Sequence, residues 1–120
     1  MTTGAKVLIV EDDALIAMEM AERVTELGFE VLGPAHSLAE ADAVLAGDTP
    51  EIALLDANLG GVSTVELGVR LDGMGVRIAF CTGYDHVRGL PKHLAKTMVL
   101  MKPISDADLK AGLEALRGGR

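Results

Sequence analysis

The chain has no tryptophan, one tyrosine and two phenylalanines in 120 residues, so its core must be aliphatic. A flavin carrier is disfavoured on the same ground, because the flavin ring needs stacking partners. Cys81 is the single cysteine, which excludes an intramolecular disulfide. Its setting in RIAFCTGY suits a small buried hydrophobe better than a reactive thiol. Lys and Arg number 11 against 18 Asp and Glu, a net charge of -7 without basic clusters, which argues against binding nucleic acid through its phosphates. Apolar runs fall well short of the roughly 20 residues that cross a bilayer. The start MTTGAKVLIVEDD lacks the basic, apolar and cleavage regions of a leader, so a cytoplasmic protein without membrane association is expected. At 49% apolar and 24% charged residues, the length suits one globular domain over 1–120.

Five short aliphatic runs alternate with amphipathic stretches: KVLIV (6–10), FEVLG (29–33), IALL (52–55), RIAF (77–80) and MVLM (98–101). Each is apolar throughout rather than alternating, as in parallel strands covered on both faces. Between the first two runs, Ile16, Met20, Val24 and Leu27 recur at helical spacing, and Gly28 supplies a stop. Ser37/Glu40, Ser63/Glu66 and Ser105/Asp108 have capping-box spacing, and Val62 with Leu67 is placed for a hydrophobic staple on the helix starting near Ser63. Leu38, Ala41 and Leu45 form the inward stripe of one helix, and Leu109, Leu113 and Leu116 that of the last. The stretch 83–96 lies where a fourth helix belongs, but Gly89 and Pro91 interrupt it, so that helix is expected to be short, frayed or absent. Right-handed crossovers then give one five-stranded parallel sheet with helices on both sides, a doubly wound α/β fold.

In such sheets, sites form beyond the carboxyl ends of the strands. Glu11, Asp12 and Asp13 follow the first run, Asp56 the third, Thr82 the fourth, and Lys102-Pro103 the fifth. Each has an ordinary explanation: Asp12 or Asp13 as a helix cap, Asp56 with Asn58 or Thr82 with Gly83 as turn formers, Lys102 as a strand-end lysine. Together they place several carboxylates on one edge, where two charges 4 Å apart repel by about 4 kcal/mol at an effective dielectric of 20. A hard divalent cation such as Mg²⁺ relieves that repulsion and needs only one or two carboxylates. A carboxylate beside Mg²⁺ with Lys and Thr nearby is equipped for phosphoryl transfer, with Asp56 as nucleophile.

Through VLIVEDD, LLDANLGG, FCTGY and LMKPI, the chain resembles the CheY-like receiver domains of two-component response regulators over nearly its whole length. The resemblance implies a (βα)5, flavodoxin-like sheet of strand order 2-1-3-4-5 and a single-domain response regulator. It implies that Asp56 accepts a phosphoryl group from a histidine kinase. Mg²⁺ would be held by Asp12 directly, by Glu11 through water and by the backbone carbonyl of Asn58, with Asp56 also in the metal set. Lys102 and Thr82 would contact the phosphoryl group, and the Lys102-Pro103 bond would be cis. FCTGY is similar to the motif of the FAT GUY subclass, whose fourth helix is shortened or mobile; this implies a kinase of the HWE or HisKA2 type. Val99 stands where many receivers carry a switching aromatic, so readout is expected from ordering of 82–96, with Tyr84 as a cover. On this view Tyr84 and Pro103 are the switch residues, and output passes through a protein partner. The competing reading is a Mg²⁺-dependent phosphohydrolase with an Asp nucleophile. His36, His86 and His93 show no ligand spacing and are expected in solvated loops, and the six methionines mostly at helix or strand core positions.

Overall fold

Within Lys6–Val10 (β1), alternate side chains part company: Val7 and Ile9 join one apolar cluster, Leu8 and Val10 another. The same division runs through Ile52–Asp56 (β3), with Leu54 opposed to Leu55, and Arg77–Thr82 (β6), with Cys81 opposed to Phe80. These runs are continuously apolar because both faces of the sheet are covered. The computed structural model describes residues 4–118. Ala14–Glu26 (α1) and Asp106–Gly118 (α4) cover one face, through Met20, Val24, Leu109 and Leu113. Leu38–Gly47 (α2) and Val65–Gly73 (α3) cover the other, through Ala41, Leu67 and Leu71. With Glu30–Ala35 (β2) and Met98–Met101 (β7) at the edges, the all-parallel sheet runs β2-β1-β3-β6-β7. Counting only these five strands, the order is the expected 2-1-3-4-5.

Several local expectations change. Asp13 caps α1 by accepting from the Ile16 N–H at 3.0 Å, and the helix so started buries Ala17, Met20 and Val24 while Ile16 remains 39% exposed. The small Ala17 thus replaces Ile16 in the inward stripe. Ser37 accepts from the Glu40 N–H at 3.1 Å as expected, but Glu40 reaches back to the His36 N–H, at 2.8 Å. Ser105 accepts from the Asp108 N–H at 3.0 Å.

The third helix begins later than Ser63. Asn58–Leu59 (β4) and Val62–Ser63 (β5) pair antiparallel across Gly60 and Gly61, whose φ values of 58° and 99° suit a tight two-residue turn. Thr64 then caps α3 in position only. Val62, out on the hairpin, is 50% exposed, so no staple to Leu67 forms. The stretch 83–96 has no α-helix, only a single 3₁₀ turn at Lys92–Leu94, in keeping with Gly89 and Pro91. Of the methionines, Met20 is buried and Met98 packs on the core, whereas Met18, Met74 and Met101 are exposed and Met1 lies outside the described residues.

Candidate functional site

The carboxyl ends of four neighbouring strands, β1, β3, β6 and β7, deliver the chemistry. Beyond β1, the Glu11 N–H donates to Ala35 O at 2.9 Å, which ties the start of the acidic loop to β2. Glu11 is itself buried. Its Oε2 accepts from the Asp13 N–H at 3.1 Å, and its Oε1 from Lys102 Nζ at 2.9 Å. Lys102 follows β7 and is fixed by its own N–H donating to Thr82 O at 2.7 Å; the Lys102-Pro103 bond is cis, as expected, and so is Gly33-Pro34. The same Nζ lies 3.2 Å from Asp56 Oδ2, so one ammonium bridges two carboxylates.

Asp56 ends β3 and is only 7% exposed. Its Oδ1 accepts from the Asn58 N–H at 3.1 Å. Its carbonyl accepts from Thr64 Oγ1 at 2.7 Å, and Thr64 is fully buried. Thr64 therefore spends its hydroxyl on positioning the strand end rather than on capping α3. Burial pushes the Asp56 carboxyl up to about 6; the Asn58 N–H and Lys102 pull the other way, and the charge of Glu11 adds to the rise. For Lys102, burial opposes the charge, but the hydrogen bond to Glu11 and the charge of Asp56 outweigh it and raise its pKa.

Asp12 is exposed, and carboxylate oxygens of Glu11, Asp12 and Asp56 all lie within 4.8 Å of one another. Three hard oxygen donors so grouped, with one ammonium against them, fit a small divalent cation such as Mg²⁺. Asp13 is not part of the group because its carboxylate caps α1. Asn58 Oδ1 is engaged by the Gly61 N–H at 2.5 Å within the hairpin turn.

Thr82 stands at the end of β6 and accepts from the Tyr84 N–H through Oγ1, at 3.3 Å. It helps line a cleft of about 530 Å³ between the hairpin (Asn58, Gly61, Ser63) and the segment carrying Tyr84, His86 and Arg88. Tyr84 is 71% exposed and covers nothing; its ring stands 6.3 Å from that of His86, so in this conformation it is a wall of the cleft. Cys81 is buried and its thiol pushed up to about 12 by that burial, which makes it inert. All three histidines are exposed; His36 Nδ1 lies 3.1 Å from Glu11 O. A larger groove, about 700 Å³, runs beside α1 past Met18, Ala21, Pro34 and His36, outside the carboxylate cluster.

Sequence reading anticipated the carboxylates, Thr82 and Lys102, but missed Thr64 and the hairpin. Leu-Gly-Gly-Val at 59–62 was a readable hairpin signal, since two glycines flanked by apolar residues suit a tight turn. Nothing in the sequence marked Thr64, whose role depends on where the hairpin ends.

The family model described as the response regulator receiver domain matches residues 7–114. An uncharacterized response regulatory protein of Shewanella oneidensis is 28% identical over 114 residues, 92% of this chain and 48% of the relative. The transcriptional regulatory protein PdtaR of Mycobacterium tuberculosis is 37% identical over 54 residues, 45% of this chain and 26% of the relative. The chain thus spans about a quarter to a half of the length of these curated relatives. The solution structure of SdrG from Sphingomonas melonis superposes with a TM-score of 0.78 at 28% identity, covering 98% of this chain and 99% of that one. PhyR from Bartonella quintana, an anti-anti-sigma factor, shares the fold at a TM-score of 0.81 and 24% identity, covering 98% of this chain and 49% of its own.

Proposed function

The chain belongs to the response regulator receiver domain family, whose business is two-component signalling, and from that premise we propose that it takes a phosphoryl group from a histidine kinase onto Asp56 in a Mg²⁺-dependent reaction. It acts as a phosphoacceptor that signals through a protein partner, and the region 1–120 works as one receiver domain. The observation that carries this reading is the meeting of Asp56, Glu11, Asp12 and Lys102 from three separate strand ends.

In the transfer, a carboxylate oxygen of Asp56 bonds to phosphorus as the P–N bond to the donor imidazole breaks, and the nitrogen keeps the electron pair. Water later cleaves the acyl phosphate and restores the carboxylate. Mg²⁺, held by Glu11, Asp12, Asp56 and the Asn58 carbonyl, would neutralise charge on the phosphoryl oxygens. The Asn58 N–H orients the carboxylate, and Thr64 fixes the backbone beneath it. Lys102 supplies a cation that can turn from Asp56 to the incoming phosphoryl group while Glu11 still holds it. Thr82 has its hydroxyl at the same edge as a hydrogen-bond donor for a phosphoryl oxygen. The kinase type, HWE or HisKA2, is supported by the FCTGY motif alone.

Labelling with acetyl phosphate or phosphorylated kinase tests the proposal. Hydroxylamine-labile phosphate should appear on the wild type with Mg²⁺, and fall to background without the metal or in Asp56→Asn. Label that persists in Asp56→Asn would overturn the assignment, and sustained turnover of phosphomonoesters would favour the hydrolase. Amide exchange in 83–96, followed in the same samples, should slow on phosphorylation, since this segment lacks an α-helix and can order.

A further inference from the structure

Asp56 closes β3 and Thr64 precedes α3, and Thr64 joins the two elements twice. Its Oγ1 donates to Asp56 O at 2.7 Å, and its N–H donates to Ala57 O at 3.2 Å. Its carbonyl accepts from the Gly68 N–H at 3.0 Å and so starts the first turn of α3. Thr64 is fully buried, whereas its neighbour Ser63 is exposed and accepts from the Val65 N–H through Oγ, at 3.1 Å. Ser63 thus serves the helix start, and the Thr64 hydroxyl is left to the peptide of Asp56.

These two bonds close the loop 57–63. Within it, Asn58 and Leu59 pair with Ser63 and Val62, Leu59 is buried, and Asn58 Oδ1 accepts from the Gly61 N–H. Asn58 serves the site through its backbone: its N–H donates to Asp56 Oδ1 at 3.1 Å, and its carbonyl is the oxygen assigned above to Mg²⁺. The hairpin bonds fix the shape of the loop, and Thr64 fixes where that shape sits against Asp56. A buried carbonyl deprived of its donor carries a free-energy cost that a shift of the loop can relieve, so loss of the hydroxyl would move Asn58.

We propose that Thr64 is a positioning residue for phosphoryl transfer: its hydroxyl sets the place of the Asn58 peptide, and through it the aim of the Asp56 carboxylate and the fit of the metal. The inference rests on the phosphoacceptor reading of Asp56 and adds to it a residue that touches neither the phosphoryl group nor the metal. A reaction that depends on aim is sensitive to such a residue, since a misplacement of about 1 Å can cost about a hundredfold in rate. Thr64→Val nearly keeps the shape and loses the hydroxyl, and Thr64→Ser keeps the hydroxyl and loses a methyl group. The pairs Thr64 with Thr64→Val, and Thr64→Ser with Thr64→Ala, therefore isolate the same hydroxyl at two side-chain sizes.

The test labels the four proteins with acetyl phosphate at saturating Mg²⁺, well below their melting temperatures, and measures Mg²⁺ affinity by calorimetry without a phosphodonor. Loss of the hydroxyl should slow labelling and weaken Mg²⁺ binding about tenfold in each pair, and Thr64→Ser should stay within about twofold of wild type. Amide exchange at 58–61 in the metal-free protein should quicken in the same pattern. Leu116→Ala trims a partly buried side chain on the other face of the sheet; it should lower the melting temperature and change neither rate nor affinity. If Thr64→Val does not fold, the Ser and Ala variants give the same comparison. Equal rates and affinities within both pairs, or a loss that Leu116→Ala reproduces at an equal drop in melting temperature, would overturn the proposal. Wild type that takes no label would overturn the phosphoacceptor reading and this inference with it, a result distinct from labelled wild type with unchanged variants.

Discussion

Asp56 is asked to be buried and charged at once. Its carboxyl titrates at about 6 in the folded protein, against about 3.9 for an unperturbed Asp, mainly because burial disfavours the charge. A folded pKa above the unfolded one means that the native state binds the extra proton between these values. Stability therefore falls as pH rises from about 4 to about 6, and the metal-free protein carries the full penalty above that. Asparagine keeps the shape and removes the charge. Asp56→Asn in chelator should accordingly melt a few degrees above wild type at pH of about 8, with the gain vanishing toward pH of about 4. Equal melting temperatures across that range, followed by circular dichroism, would contradict the account. Asp56 was legible in the sequence because a carboxylate closing an apolar run is conspicuous. Thr64 was not, because a threonine before a helix reads as a cap, and only its distance to Asp56 O reveals the other use of its hydroxyl.

At Gly68, α3 lies close against β6. A Cβ on Gly68 would stand 2.7 Å from Phe80 Cζ and 3.2 Å from Ile78 Cδ1, and Phe80 is fully buried with little room to yield. Alanine favours the helix by about 1 kcal/mol over glycine, but overpacking a filled core costs about 1–3 kcal/mol. Gly68→Ala should thus destabilise the protein by about 1 kcal/mol, and by no more than about 2 kcal/mol, in urea unfolding, whereas Gly73→Ala, with nothing within 4 Å, should be neutral or stabilising. A stabilised Gly68→Ala would show that the two elements part more easily than the packing implies. The strand runs were readable from composition, since burial on both faces needs unbroken apolar sequence. Helix phase was less so: Ile16 and Ala17 both continue a plausible stripe, and the Asp13 cap with the close approach to β1 selects the smaller residue. The missing helix at 83–96 was legible because Gly89 and Pro91 act locally.

For the whole molecule, the grouped carboxylates make metal binding and folding one equilibrium. A ligand that binds only the native state at about a hundred times its dissociation constant adds about 2.7 kcal/mol. Mg²⁺ should therefore raise the melting temperature of wild type by several degrees and that of the Asp12→Ala/Asp56→Asn double variant hardly at all, measured by calorimetry at fixed ionic strength. An equal rise in both would point to screening of the net charge of -7 rather than to the site. The sequence by itself determined the alternation of elements, the aliphatic core and the residue types at each strand end, because these follow from hydrophobic period and chain order. Only the tertiary structure decided that Lys102 bridges Glu11 and Asp56, that a glycine turn closes a hairpin before α3, and that the buried Thr64 hydroxyl reaches back to Asp56 O. Those relations depend on distances between residues remote in the chain or on which side of the backbone is buried, and local pattern carries neither.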